Sequence, residues 1–359
     1  MVRIHMMKAY EGDFIWLSYG DMEKEHHLLI DGGVKECRER YADVVRAISA
    51  KGESIEAIIL THIDCDHIAG ACEGIAKVDA GILQRTVKKI IFNASKKIHK
   101  EILVSKNSGE YGVKEGIEFC EILKEKGIYD RIVERTIAGE IINLANGALL
   151  RVISPGEKQL EKLLDKWESY KKKQVSVGYS PNLEKVKQNL ADLMRDQSGI
   201  DSSVNNASSI AILFEYQNIK GAFLGDAKPS ICMEGMKKFN IKDVYPVDFV
   251  KLSHHGSIAN TDLKLLKKLP TVNYLLSTNG HEKKVPSKVV IAKLLRNCKE
   301  ENKTEIMLYC NYDWWESQYH NKYFTQKDRR LYIDTGILKI NLLGGEGTSV
   351  KDGLILYGK

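Results

Sequence analysis

The chain has 359 residues, 43% of them hydrophobic, and a net charge of +6 from 54 basic and 48 acidic side chains. No apolar run approaches the roughly 18 residues that span a bilayer, and the opening residues lack a signal peptide's apolar stretch and cleavage site. The seven cysteines are odd in number and include no CxxC pair, which argues against a disulfide framework and for a reducing, cytoplasmic setting. The mild positive excess suits an anionic partner without demonstrating nucleic-acid binding.

Short apolar runs predict strands at residues 14–17 and 27–30, the second closed by the turn signal Asp31-Gly32-Gly33. A helical pattern over 36–50 precedes residues 56–61 (EAIILT), which read as a buried strand. Strands follow at 89–92 and 149–153, with a helix over 114–126 between them and Ser154-Pro155-Gly156 as a stop. Residues 157–200 are rich in lysine, leucine and glutamate at helical spacing. They read as two helices forming an insertion over one side of a site, with Lys171, Lys172 and Lys173 on a solvated face. Strands resume at 209–214, 221–224, 248–252 and 272–277, with helices over 263–269 and 287–295. The tail, 301–359, holds short alternating segments at 337–342 and 354–357 and reads as an extension that completes the fold. With no repeat and no Pro/Gly/Ser linker, the pattern predicts one α/β domain of packed sheets with outer helices.

The densest chemistry is Thr61-His62-Ile63-Asp64-Cys65-Asp66-His67-Ile68-Ala69-Gly70, directly after the apolar run that ends near Leu60. Imidazole and carboxylate together are good ligands for zinc and for harder divalent ions such as manganese. In a turn leaving a strand tip, His62 and Asp64 project together while Asp66 and His67 point to a second position. Groups crowded this closely need cations, and Cys65 between them faces away.

HxDxDHxxG after a hydrophobic strand resembles the first metal motif of the metallo-β-lactamase superfamily. Further motifs recur in that family's order over about residues 8–300. Gly225-Asp226 follows the run GAFL, where the family places a bridging aspartate. The segment Lys251-Leu252-Ser253-His254-His255-Gly256-Ser257 ends another strand, where the family supplies a late histidine. Asn205-Asn206-Ala207-Ser208-Ser209 and Ser277-Thr278-Asn279-Gly280 flank two more. Together NNxSS, GD, HHGS and STNG are most similar to the hydrolase domain attached to DNA-uptake channels of natural competence and to its stand-alone bacterial relatives. That branch is associated with phosphodiester cleavage and degradation of single-stranded DNA. The resemblance implies a four-layer αββα sandwich and two divalent ions, zinc foremost and manganese second. Their ligands would be His62, Asp64, Asp66, His67, Asp226 and the pair His254/His255, with His254 the favoured ligand and His255 a substrate-phosphate group or alternate. Asp64 and Asp66 would be the catalytic carboxylates, and Asn206, Ser208, Ser257 and Asn279 would face substrate.

Two departures stand out. No histidine lies in the 205–209 region, where many superfamily members carry a further ligand; a water, Asn206 or Ser208 would have to complete the shell of the His62/Asp64 ion. Val285-Pro286 replaces a histidine-proline pair, with His281 the nearest substitute. Structural roles compete for several residues: Asp226 as a helix N-cap near Pro229, His254 and His255 as a polar turn, His26 and His27 as strand or turn surface, and Trp314 and Trp315 as tail packing rather than base stacking. The expected function is metal-dependent hydrolysis by a phosphodiesterase or nuclease, on single-stranded DNA or a nucleotide. Hydrolysis of a small ester or lactone is a second class. A non-catalytic module that binds nucleic acid or a partner, including an NTPase in a phage-defence set, is a third.

Overall fold

The computed structural model describes residues 1–21, 23–93, 113–133, 135–169, 188–195, 201–280, 285–316, 323–343 and 354–356. Two sheets form its centre. The first contains β1 (Val2–Met6), β2 (Ile15–Gly20), β3 (Glu25–Ile30), β4 (Ser54–Ile59), β5 (Ile90–Ile91), β6 (Ile132–Val133) and, on its other edge, β15 (Leu354–Leu356), in the order β15-β1-β2-β3-β4-β5-β6. The second contains β7 (Ile141–Asn143), β8 (Leu149–Ser154), β9 (Ala211–Tyr216), β10 (Ile219–Phe223), β11 (Phe249–Lys251), β12 (Asn273–Leu276), β13 (Ile306–Cys310) and β14 (Leu338–Leu342), in the order β14-β13-β12-β11-β10-β9-β8-β7. Strands β3 to β6 run parallel, as do β10 to β14; the remaining pairings are antiparallel.

The two-residue period of a strand sorts its side chains into layers. Ile15, Leu17 and Tyr19 of β2 meet Ile212, Phe214 and Tyr216 of β9 in the core between the sheets. Trp16, Leu29, Ile55 and Ile58 face outward from the first sheet, against α1 (Arg38–Ala50), α2 (Cys65–Ala76), α3 (Ala80–Thr86) and α4 (Val113–Glu125). Leu213, Ala222, Val250 and Tyr274 face outward from the second, against α8 (Pro229–Lys237), α9 (Leu263–Lys268) and α10 (Lys288–Glu300). The helices α5 (Glu157–Ser169) and α6 (Leu190–Leu193) divide between the layers, Leu160 and Leu163 in the first outer core and Leu190 and Leu193 in the second. The short α7 (Val204–Ala207) follows. The result is the αββα sandwich, each buried aliphatic contributing about 1.5–3 kcal/mol.

The strands fall close to the predicted ranges, with instructive exceptions. The metal motif is not a turn throughout: from Cys65 it is the first turn of α2. The small residues after His67 let that helix sit on the turn behind it. A Cβ on Gly70 would stand 2.1 Å from the Gly32 carbonyl oxygen, and Gly70 N–H donates to Gly33 O at 2.9 Å. His26 and His27 are not surface residues. Both lie buried in β3, where Trp16 Nε1 donates to His27 Nδ1 at 3.1 Å and His27 Nε2 meets Glu53 at 2.8 Å. Trp314 is buried against Tyr323, edge to face, and presents no ring to a base. Helix α10 extends past residue 295 to Glu300. Within the tail, β13 and β14 extend the second sheet and β15 pairs with β1. Residues 170–187 and 196–200, with Lys171 to Lys173, and the loop bearing His281 lie outside the described residues.

One buried ion pair joins the tail to α10. Lys288 Nζ lies 2.8 Å from Asp328 Oδ2, both side chains sealed from solvent, and Asp328 also accepts from the Leu190 and Thr325 amides. Lys288→Met leaves that carboxylate buried and without its cation, which costs about 3–5 kcal/mol, read as a lower urea midpoint. Burial pushes the Asp328 carboxyl up, but Lys288 and the two amides outweigh it and hold its pKa below the ordinary value. The wild-type pair is therefore fully stabilising above the unfolded carboxyl's pKa and fades as pH falls through the lower folded value, a loss the Lys288→Met variant should not share.

Candidate metal centre

The carboxyl ends of the parallel strands in both sheets open on one side, where layered α/β folds collect their sites. Just beyond the end of β3 lies Asp31, beyond β4 Thr61 and His62, beyond β10 Asp226, beyond β11 His254 and His255, and beyond β12 Ser277. A hydrogen bond from Ile210 N–H to Thr61 O, 2.8 Å, ties the two sheets together here.

Asp226 is the centre. Its buried carboxylate faces imidazole nitrogens with each oxygen: Oδ2 lies 3.7 Å from His62 Nε2 and 3.6 Å from His254 Nε2, and Oδ1 lies 3.5 Å from His67 Nε2 and 4.0 Å from His255 Nε2. Asp64 Oδ2 stands 3.5 Å from His62 Nε2, and Asp66 Oδ2 stands 3.7 Å from His255 Nε2. Most of these separations exceed a good hydrogen bond. They approach the edge of a metal tetrahedron: ligands about 2.0–2.2 Å from an ion stand about 3.3–3.6 Å apart. The ligand atoms of His62, His67 and Asp226 lie within 4.8 Å of one another, as do those of Asp66, His67 and His255. His62 Nε2, His67 Nε2, His255 Nε2 and Asp226 Oδ1 are buried without a hydrogen-bond partner among the described residues. Unpaired buried polar atoms are costly, and four converging on one spot fit a bound cation. The donor set of nitrogens and carboxylate oxygens suits zinc or manganese.

The electrostatics match. Burial pushes the Asp226 carboxyl up, but His254, His67 and His255 outweigh it and hold its pKa well below the carboxylate range. Burial works against a charged His67 as well, yet Asp226 and Asp31 raise its pKa well above the ordinary imidazole value. His255 goes the other way: burial brings it down to about 4, so it is neutral and ready to bind an ion at neutral pH.

Behind the ligands lies a layer of supports that motif reading did not find. Asp31 Oδ2 meets His67 Nδ1 at 2.7 Å and accepts the Thr61 hydroxyl at 2.7 Å, while Oδ1 accepts the Thr61 amide at 2.8 Å. Because that hydroxyl donates to Asp31, it accepts at 3.0 Å from His62 Nδ1. One carboxylate thus holds a proton on Nδ1 of both imidazoles, so that Nε2 is the nitrogen each would give to an ion beside Asp226. His255 Nδ1 donates to Ser277 O at 2.9 Å with the same effect. Asp13 sits 3.5 Å from that nitrogen and is paired with the buried Lys251. Asp13 is pressed against α2, where a Cβ on the preceding Gly12 would overlap the Asp66 carbonyl. The only sequence signal for Asp31 was its place before two glycines at a strand end.

The other predicted residues take supporting positions. Asp226 does not cap the following helix: Lys228 occupies the N-cap position and makes no side-chain cap bond. Asn205 donates to Asp64 Oδ1 at 2.5 Å, the Asn206 amide nitrogen lies 2.9 Å from Asp201 and 3.2 Å from His254 Nδ1, and Ser208 donates to the Asn205 carbonyl at 2.7 Å. The Ser257 hydroxyl accepts from the Ala259 amide at 3.3 Å, and Asn279 N–H donates to Tyr10 O at 2.9 Å. Val285 is buried, and Pro286 packs against Gly256. The Nε2 atoms of His254 and His255 both face Asp226.

Residues 21–81 match the family model described as the metallo-beta-lactamase superfamily. No curated protein matches the chain. Solved structures similar to it include the metallo-beta-lactamase fold protein YhfI from Bacillus subtilis, 9% identical over 95% of each chain with a TM-score of 0.37. Another is MIM-1 from Novosphingobium pentaromativorans, 13% identical over 84% of this chain and 90% of that one, TM-score 0.34. A third is a metallo-beta-lactamase from Staphylococcus aureus subsp. aureus COL, 10% identical over 95% of this chain and 98% of that one, TM-score 0.33. The matched segment runs from β3 through the His62–His67 motif into α3, and with its two central sheets and outer helices the chain has the metallo-β-lactamase fold.

Proposed function

We propose that this chain is a metal-dependent hydrolase that cleaves phosphodiesters, in a nucleotide or in single-stranded DNA. The observation that carries the metal-dependent part is the convergence of three buried imidazole nitrogens on Asp226, these and its Oδ1 lacking a hydrogen-bond partner among the described residues. The phosphodiester part is supported by the similarity of NNxSS, GD, HHGS and STNG to the competence-type branch. Two divalent ions held by His62, Asp64, Asp66, His67, Asp226, His254 and His255 would supply Lewis acidity and acidify water. The chain's own contributions follow from its geometry. Asp226 turns one oxygen to each half of the centre. Asn205 holds Asp64 in place through Oδ1, leaving Oδ2 toward His62. Asp66, in the first turn of α2, would bind one ion, orient the attacking water and help pass a proton to the leaving group. Among the described residues no helix is long and apolar enough to cross a membrane.

The test is a substrate panel of single-stranded DNA, a cyclic dinucleotide, a phosphodiester chromogen and a lactone. It is run on chelator-stripped protein with zinc or manganese restored. Turnover of a phosphodiester and not of the lactone is expected. Asp64→Ala and Asp66→Ala should each lower it by on the order of 100-fold or more. Lactone turnover alone, or full phosphodiesterase activity in both variants, would reject the reading.

A further inference from the structure

We infer that His254 and His255, neighbours in the chain, serve different cations, and that His254 fills the ligand place left by the missing histidine in the 205–209 region. The inference rests on the two-ion reading of the centre and concerns how its ligands divide. The two oxygens of Asp226 separate the donors into two groups. Around Oδ2 stand His62 Nε2 and His254 Nε2, with Asp64 Oδ2 beside His62. Around Oδ1 stand His67 Nε2 and His255 Nε2, with Asp66 Oδ2 beside His255. Each group then offers two imidazoles and two carboxylates. Without His254 the first would have one nitrogen, since Ser208 donates to the Asn205 carbonyl and the Asn206 amide lies against Asp201 and against His254 Nδ1 itself.

The tautomer of His254 follows from its support. Asn260 Nδ2 is committed to two acceptors, Asp201 Oδ2 at 2.8 Å and the Asp226 carbonyl at 3.0 Å. Its Oδ1 therefore faces His254 Nδ1 at 3.0 Å and accepts the proton there, the Asn206 amide 3.2 Å from the same nitrogen being turned to Asp201 at 2.9 Å. Nε2 is then the nitrogen it would give to an ion beside Asp226, as for the other three imidazoles. The backbone is also specialised: His254 and His255 have φ of 48° and 54°. Such left-handed non-glycine residues persist only where their surroundings enforce them.

The two groups differ in shelter. The side chains of His254 and Asp64 are 27% and 36% exposed, whereas His67 and His255 are fully buried and Asp66 is 13% exposed. The His62/Asp64/His254 position is thus the exchangeable one and the Asp66/His67/His255 position the retentive one.

Calorimetric titration of the chelator-stripped full chain with zinc chloride, against a competing chelator, tests this. The wild type should bind in two phases of unequal affinity. His254→Ala should lose the weaker phase and keep the tighter; His255→Ala should lose the tighter. Asn260→Ala, which removes only the support, should weaken the weaker phase by about 10–100-fold with the tighter unchanged. Circular dichroism melts establish that each variant is folded, and the milder Asn260→Ala decides the matter if His254→Ala is not. Two unchanged phases in both His254→Ala and Asn260→Ala, or loss of the tighter phase in either, would overturn the division while leaving the two-ion reading intact. A wild type that takes up no ion removes both.

Discussion

Asp226→Ala should lose both ions at once and lower turnover by on the order of 10³-fold or more, equivalent to about 4 kcal/mol of lost transition-state stabilisation. The reason is topological. Every imidazole of the centre looks at one or other oxygen of this carboxylate, so no half of the site survives its removal. The variant should also separate metal effects from folding effects. In the wild type, zinc bound only to the folded state raises the melting temperature by mass action; in Asp226→Ala the melting temperature should no longer respond to zinc. Metal content after purification, the zinc-dependent melt and turnover can be measured on one preparation. Two retained ions with near-normal turnover would contradict the central role assigned to this residue.

Asp31→Asn changes one oxygen to nitrogen in a residue that touches no substrate, yet its effect should be nearly as large. Three donors converge on the native carboxylate: the Thr61 amide, the Thr61 hydroxyl and His67 Nδ1–H. An amide turns one of its two positions into a donor, so either the Thr61 amide or the hydroxyl and His67 must face another N–H. The position is fully buried, and such a mismatch costs roughly 1–3 kcal/mol for each group left unpaired. Both His62 and His67 lose the constraint that puts their protons on Nδ1, so zinc affinity should fall by about 10–100-fold at each position. Urea unfolding in chelator reads the first effect and competitive zinc titration the second. Asparagine tolerates the left-handed backbone at this residue, φ 57°, so the substitution tests the carboxylate and not the turn. Wild-type zinc affinity in this variant would show that the two imidazoles are oriented by something else.

The candidate ligands were legible because they are local. His62 through His67 occupy six consecutive positions, and Asp226 and the histidine pair each end a recognisable apolar run. The strands were legible for the same reason, since burial on both faces produces short continuous apolar runs such as those of β4 and β9. What was not legible is the layer behind the ligands. Asp13, Asp31, Asp201 and Asn260 are scattered over the chain, and each looks like an ordinary turn residue. Only the fold brings Lys251 onto Asp13, 238 positions away. The burial of His26 and His27 was hidden because two adjacent polar residues in a strand suggest an exposed edge, whereas Trp16, Glu53 and Glu56 supply partners inside. The start of α2 was missed because its first turn carries ligands in place of the usual apolar stripe; the stripe begins only at Ile68 and continues with Ala71, Cys72 and Ile75.

The left-handed bend at His254 and His255 has a consequence for how this protein can change. An extended chain sends successive side chains in opposite directions, and a helix sends them about a third of a turn apart. Only the unusual bend lets two consecutive imidazoles straddle a single carboxylate. A one-residue insertion or deletion there would misplace both together, so the segment is frozen in length even if its flanks drift. Chemistry carried by this loop is retained whole or lost whole.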